Sequence, residues 1–261
     1  MYPSPYPEIN HLLFDLCSSV QAILKEQWVG MYLFGSLTGE DFDPQRSDID
    51  FVIVTEGELS VEIISALEAM HTRFASNSSP WAKRLEGSYI PKQALRRYDP
   101  ATARYPSLRV DESFITDQQG IDGIIQRYLL REQSLALAGP NLHDLIDPVL
   151  PDDLRRASIG ILFEWWQPQL VDQHRLLERE YQAYAVLTMC RILYTLQFGT
   201  IVSKPHAARW AKTALGQPWV GLIERALTWF PADGVDDLSE TIEFIRHTLE
   251  RAARQATPPS E

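Results

Sequence analysis

Apolar residues recur at helical spacing from Ile9 through Leu12, Leu13, Leu16, Val20, Ile23 and Leu24 to Trp28, predicting an amphipathic helix over residues 9–28. The period then changes. Met31-Tyr32-Leu33-Phe34 is a short apolar run cut off by Gly35-Ser36, and Asp48 to Thr55 is a second strand-like run. The polar loop between them carries Gly39, Pro44 and the acids Glu40, Asp41 and Asp43. Helical spacing returns over Leu59 to Phe74 through Ile63, Ile64, Leu67 and Met70, and Arg84 to Ile90 is a third strand stopped by Pro91. Residues 98–120, with Pro100 and Pro106 and no sustained period, are expected to form a long surface loop, a length uncommon without a function. A further helix is predicted over 121–138, ended by Gly139-Pro140.

Asp147-Pro148 and Leu150-Pro151 mark the expected boundary between a domain of residues 1–150 and one of residues 151–261. Beyond Pro151 strand signals cease. Helical segments are predicted over 152–166, 170–198, 204–215, 217–229 and 236–255, separated by Pro168, Gly199, Gly216 and Pro231-Ala232-Asp233-Gly234. Gly199 stands where a glycine closes a helix, Ser203 is an N-cap candidate with Pro205 in the first turn, and the tail from Ala256 to Glu261 is expected to fray. An α/β domain followed by an all-helical domain results.

Composition narrows the function classes. With 261 residues, 45% apolar, and 7 Trp, 10 Tyr and 10 Phe, the chain can bury a sizeable core, which excludes disorder throughout. No run is long and apolar enough to span a membrane, and the N-terminal segment lacks the pattern of a signal peptide. A net charge of −11 disfavours nucleic-acid backbones and favours cationic ligands. Cys17 and Cys190 are far apart in apolar helical settings, expected as buried free thiols in a reducing cytoplasm. His71, His143, His174, His206 and His247 show no ligand spacing and are expected at surfaces or interfaces, while Trp165-Trp166 are expected to pack core or a domain interface.

Gly35-Ser36 followed by Asp48-Ile49-Asp50, with a strand on each side, carries the chemistry. Residues i and i+2 of a strand share a face, so the carboxylates of Asp48 and Asp50 project together. Two acids so placed repel each other, and a divalent cation that also takes phosphate oxygens relieves them. Gly35-Ser36 offers a turn whose N–H groups and hydroxyl can meet a phosphate. Ile49, Phe51 and Ile53 form an apolar opposite face, and Glu86 joins the acids if the third strand pairs beside the second.

Gly35-Ser36 with Ser47-Asp48-Ile49-Asp50-Phe51-Val52-Ile53-Val54 resembles the signature of the DNA polymerase β-like nucleotidyltransferases. Ala138-Gly139-Pro140, Asp147-Pro148-Val149, the stretch from Val186 to Tyr194, and Gly199 to Pro205 with Ala207 to Ala211 resemble the streptomycin/spectinomycin adenylyltransferases. The resemblance implies an α+β chain, in which a polymerase β-like nucleotidyltransferase domain with a mixed sheet precedes an all-α helical bundle. It also implies an enzyme of antibiotic resistance that transfers AMP from MgATP to a drug hydroxyl and releases pyrophosphate.

Carried over by position, Asp48 and Asp50 would hold two Mg²⁺ ions, Glu86 would be the catalytic base, and Gly35, Ser36 and Ser47 would grip the triphosphate. Arg191 and Lys204 would close over its phosphates, placing the site between the domains. Two drug contacts of that family are replaced. Pro106 stands near its tryptophan position and Tyr181-Gln182-Ala183-Tyr184 near its aspartate, while acids remain at Asp111, Glu112, Asp172, Glu178 and Glu180. The expected acceptor is therefore a cationic or hydroxyl-rich small molecule, streptomycin or spectinomycin first, bound by a monomer with no nucleic acid or membrane involved. The alternatives are transfer to a protein hydroxyl or another metabolite, or a nucleotide-binding module without turnover.

Overall fold

The computed structural model describes residues 2–39, 41–76, 79–110, 113–229 and 236–256. Glu40, Asp111, Glu112, the Pro231–Gly234 break and the tail beyond Ala256 lie outside the described residues. Chain packing divides it into two compact units, Met1–Val149 and Leu150–Glu261.

The first unit opens with helix α1 (Pro7–Leu24), its proline in the first turn, where a missing N–H costs no hydrogen bond. Lys25 ends it with a φ of 49°, so Trp28, expected as the last helical residue, instead opens strand β1 (Trp28–Phe34). Strand β2 (Ile49–Thr55) and helix α2 (Val61–Ala75) follow, the latter capped by Ser60, whose hydroxyl accepts from the Ile63 N–H. Strand β3 (Leu85–Pro91) leads through helix α3 (Lys92–Arg96) to strands β4 (Arg104–Leu108) and β5 (Phe114–Gln118). Helix α4 (Asp122–Gln133), strand β6 (Leu135–Ala138) and helix α5 (Leu142–Leu145) complete the unit. The strands form one mixed sheet in the order β5-β4-β3-β2-β1-β6, in which β2 and β3 are parallel and every other pair antiparallel.

Two expectations are corrected. The surface loop over 98–120 contains the β4–β5 hairpin, which completes one edge of the sheet. Pro106 is tolerated because the β3–β4 pairing covers only Leu108 and Ser107, leaving Pro106 opposite Thr116 of β5 alone. The helix expected over 121–138 stops at Gln133, and its last apolar residues form β6 against β1.

Both faces of the sheet are covered. Met31, Leu33, Ile49, Phe51 and Ile53 pack in one core with Leu13 and Leu16 of α1 and Leu67 and Met70 of α2. Tyr32, Val52, Val54 and Ile90 form a second core with Leu95, Leu130 and Leu142. His71, expected at a surface or interface, is buried at 3% exposure in the core on the α2 side, where its Nε2 and the Tyr89 hydroxyl share a 2.7 Å hydrogen bond.

The second unit is helical: α6 (Pro151–Ile161), α7 (Arg179–Phe198), α8 (Lys204–Leu215), α9 (Trp219–Leu227) and α10 (Leu238–Ala256). Residues 170–178 do not continue α7 backwards as expected. Short 3₁₀ turns, Pro168–Leu170 and His174–Leu177, precede it. The core gathers Trp166, Met189, Cys190, Phe244 and Ile245. Asp237, nearly buried, ties α7 to α9 and α10 through Arg179 at 3.1 Å and Arg225 at 2.7 Å. Gly199 closes α7 in the left-handed region at φ 66°. Cys190 is buried, whereas Cys17 is partly exposed rather than buried as expected, and both thiols are free. Among the described residues no helix is long and apolar enough to cross a membrane.

Candidate active site

The second core stops short of one end of the sheet. There the face that carries Tyr32, Val52 and Val54 continues into Phe34, Asp50 and Glu86. The register pairs Asp50 with Phe34 of β1 and with Glu86 of β3, so the two carboxylates are neighbours on one face. Parallel pairing of β2 with β3 produces this, and α2 supplies the crossover that parallel pairing needs. Asp48 lies just before the first residue of β2 and is half-buried.

Gly35 ends β1 beside these acids and starts a 3₁₀ turn, Gly35–Thr38, which carries Ser36 at the same end of the sheet. Its φ of 73° suits glycine, and a Cβ added there would fall 2.2 Å from Asp50 Oδ2. The Asp50 carboxylate therefore rests against bare backbone. Ser47 serves the preceding loop: its hydroxyl accepts from the Asp43 N–H at 3.0 Å. Hydrogen bonds from the Gln45 N–H and then from Arg46 hold the Asp43 carboxyl below its ordinary pKa. Arg84, stacked on Trp81, donates to the carbonyls of Pro44 and Gln45 at 2.7 and 2.9 Å. It ties the loop before Asp48 to the start of β3.

Arg109, at the end of β4, was not singled out from the sequence because it fell within the expected loop. Its Nη1 lies 3.5 Å from Glu86 Oε1, and its Nη2 donates to the Asp117 carboxylate of β5. That bond is the main cause of a lowered pKa at Asp117.

Among the described residues no three His, Cys, Asp or Glu side chains converge closely enough to cage a metal ion. A pair of carboxylates fits Mg²⁺, which retains water and phosphate oxygens around one or two protein ligands. The cradle at Gly35 keeps the Asp50 oxygens clear of side-chain bulk. Glu86, engaged with Arg109, is suited to a separate task.

In the second unit, Tyr184 and Arg191 lie two turns apart on one face of α7. Lys204, at the first position of α8 behind the Ser203 cap, holds its Nζ 4.0 Å from the centroid of the Tyr184 ring. Arg191 and Lys204 thus share one side of the bundle.

A π-helical turn, Leu162–Trp166, contains both tryptophans expected to pack core or a domain interface. Trp166 is buried and stacks obliquely against Tyr181 and Tyr184 at 5.8 and 5.9 Å. Trp165 is 47% exposed, donates from Nε1 to the Tyr181 hydroxyl at 3.2 Å, and has the Arg175 guanidinium 5.2 Å from its ring. Such π turns recur at functional sites.

Comparison with known proteins covers both units. The nucleotidyltransferase domain family matches residues 17–90, and the aminoglycoside adenylyltransferase C-terminal domain family matches residues 144–255. An aminoglycoside (3'') (9) adenylyltransferase of Shigella flexneri is 24% identical, covering 92% of this chain and 94% of that protein. A spectinomycin 9-adenylyltransferase of Campylobacter jejuni is 25% identical, with 88% of each chain covered. The fold is shared with a spectinomycin adenyltransferase from Enterococcus faecialis, solved with ATP and spectinomycin. The TM-score is 0.72 at 18% identity, over 92% of this chain and 98% of that one.

Proposed function

We propose that this chain, a nucleotidyltransferase resembling the aminoglycoside adenylyltransferases in both units, moves AMP from ATP to a hydroxyl of an aminoglycoside-type small molecule and releases pyrophosphate. The observation that carries this reading is the register of Asp50 with Glu86 beside the bare backbone of Gly35. The reaction needs a place for the triphosphate and a carboxylate to take the acceptor's proton.

Asp48 and Asp50 would hold Mg²⁺, and Ser36 with the turn at Gly35 would meet the triphosphate. Bound Mg²⁺ would offset charge building on the α-phosphoryl group and the departing pyrophosphate. Glu86 takes the hydroxyl proton as the acceptor oxygen bonds to the α-phosphorus. The opposite bond, from that phosphorus to the pyrophosphate oxygen, breaks, and its electron pair leaves with the pyrophosphate. Arg191 and Lys204 of the second unit would add positive charge for the phosphates, Lys204 from a helix N-terminus that already favours anions. Ser47, whose oxygen accepts from the Asp43 N–H, would keep its own O–H proton to donate to a phosphate oxygen. The enzyme works in the cytoplasm, where free thiols such as Cys17 and Cys190 stay reduced.

The test is pyrophosphate release from MgATP with spectinomycin or streptomycin, run in parallel on Asp50→Asn. Acceptor-dependent release that disappears in the variant is expected. Equal release from both proteins would remove Asp50 from the chemistry and this reading with it.

A further inference from the structure

We propose that Arg109 is a positioning residue that holds Glu86 apart from the metal ligands, so that Glu86 serves as the base and not as a third ligand. The proposal rests on the transfer reading above and deepens its account of one carboxylate. Asp50 and Glu86 are register partners, and neighbouring strands lie about 4.8 Å apart. A divalent cation draws in carboxylates within its reach, so a Glu86 held by nothing else would join Asp50 around it. The two side chains instead lean in opposite directions. Asp50 Oδ2 lies against Gly35 on the β1 side, and Glu86 Oε1 lies 3.5 Å from Arg109 Nη1 on the β4 side. Among the described residues the acids therefore form no metal-ligating cluster of three, although the register brings two of them together.

The fold places Arg109 for this task. The pairs Gly87–Leu108 and Ser88–Ser107 of β3 and β4 set the next position outwards, Arg109, opposite Glu86. Strand alternation gives Arg109 the same face as Tyr105, which belongs to the core under Val52 and Val54, the face that continues into Asp50 and Glu86. The Arg109 N–H donates to the Ser113 carbonyl at 2.9 Å, which fixes its backbone at the end of the hairpin. Its Nη2 donates to the carboxylate of Asp117, which stands opposite Tyr105 and so on the same face. A guanidinium carries its donors in a rigid fork and can hold two carboxylates at once. Asp117 thus orients Arg109 as Arg109 orients Glu86, the arrangement by which a third group aligns a base. Arg109, Glu86 and Asp117 are 41%, 36% and 39% exposed, and ion pairs so exposed contribute little to stability. What the chain of contacts decides is where the Glu86 carboxylate points.

Two readouts test the proposal. Mn²⁺ titrated into the nucleotide-free protein, with unbound ion followed by electron paramagnetic resonance, reports metal affinity, and turnover of MgATP with spectinomycin reports kcat and KM. Arg109→Gln is expected to tighten Mn²⁺ about tenfold, because affinity at such sites follows the number of charged ligands. Its kcat should fall about 10–100-fold, the usual effect of removing an orienting partner, with no rise in the KM for MgATP. Loss of a nearby positive charge could tighten a cation by itself, and a double-mutant cycle separates the two causes. In a Glu86→Gln background, Arg109→Gln should leave Mn²⁺ affinity unchanged. Arg109→Lys, which keeps the charge without the fork, should recover part of kcat. Asp117→Asn leaves Arg109 and Glu86 in place and should move both readouts in the same directions by a smaller factor, which keeps the test decisive if Arg109→Gln does not fold. Mn²⁺ affinity unmoved by these variants, or tightened equally in the Glu86→Gln background, would overturn the proposal and leave the transfer reading standing. Parental turnover in Glu86→Gln would remove Glu86 from the chemistry and bring down that part of the transfer reading with the proposal.

Discussion

Gly35→Ala isolates the geometry on which the nucleotide reading depends. The added methyl would sit 2.2 Å from Asp50 Oδ2 and 3.1 Å from its Cγ. An unstrained carbon–oxygen contact is about 3.3 Å, so the carboxylate must move by roughly 1 Å. Disturbing the support of a metal ligand costs about 10–100-fold in metal affinity or activity. The backbone adds a separate cost, since φ of 73° is left-handed, and a residue with a Cβ loses about 1–2 kcal/mol there. The two effects separate in a thermal-shift experiment. Without ligand the variant should melt a few degrees lower, at about 2–4 °C per kcal/mol. With MgATP at a hundred times the parent's Kd, the parent gains about 2.7 kcal/mol, while a variant weakened a hundredfold gains about 0.4 kcal/mol. Gly39→Ala is the control, because its nearest neighbour is the Ser36 carbonyl oxygen at 3.8 Å and its φ is −114°. A Gly35→Ala protein that keeps the parental MgATP shift would refute the placement of Asp50 as a metal ligand.

Glu86→Gln should keep the MgATP shift and lower turnover by about 10²–10⁴-fold, since the amide cannot take the hydroxyl proton; loss of the MgATP shift would instead make Glu86 a metal ligand. Burial pushes the His71 pKa down to about 4, whereas the unfolded chain titrates near 6.5. The unfolded state therefore binds the proton first as pH falls, and stability present above pH 6.5 declines towards pH 4 by up to about 3 kcal/mol. His71→Gln should flatten that decline in Tm, and an unchanged pH slope would exclude His71 as its source. Asp237→Ala leaves Arg179 and Arg225 without their shared carboxylate and should cost roughly 3 kcal/mol in denaturant melts, with less than 1 kcal/mol counting against a structural role.

The parts of the site readable from the sequence are those with local signatures. A glycine after an apolar run and acids two apart before another mark the turn and the Asp48–Asp50 pair without knowledge of pairing. The pairing of Glu86 with Asp50 required knowing that β3 lies parallel to β2, which no local period reveals. Arg109 was hidden because Pro100 and Pro106 read as breakers, while the hairpin around Pro106 depends on β3 leaving that position unpaired. β6 was absorbed into a helix because Leu135 and Leu137 prolong the apolar series of α4. The π turn that contains Trp165 and Trp166 inserts a residue into a helical period and leaves no compositional mark. His71 sits on the apolar face of α2, where a helical reading expects a hydrophobic residue, and only Tyr89 across the core explains its polarity.

The parallel pairing of β2 with β3 also bears on the order in which the site is acquired as the chain folds. Asp50 meets Gly35 through the antiparallel β1–β2 pair, a contact between strands adjacent in the chain. Asp50 meets Glu86 only after α2 has crossed the sheet and β3 has docked, the kind of non-local closure that folds slowly. The cradle for the nucleotide is thus built from the earlier, more local contact, and the carboxylate for the acceptor's proton from the later one. A refolding chain followed by nucleotide binding and by catalysis should gain binding first. The lag between the two would time the docking of one strand.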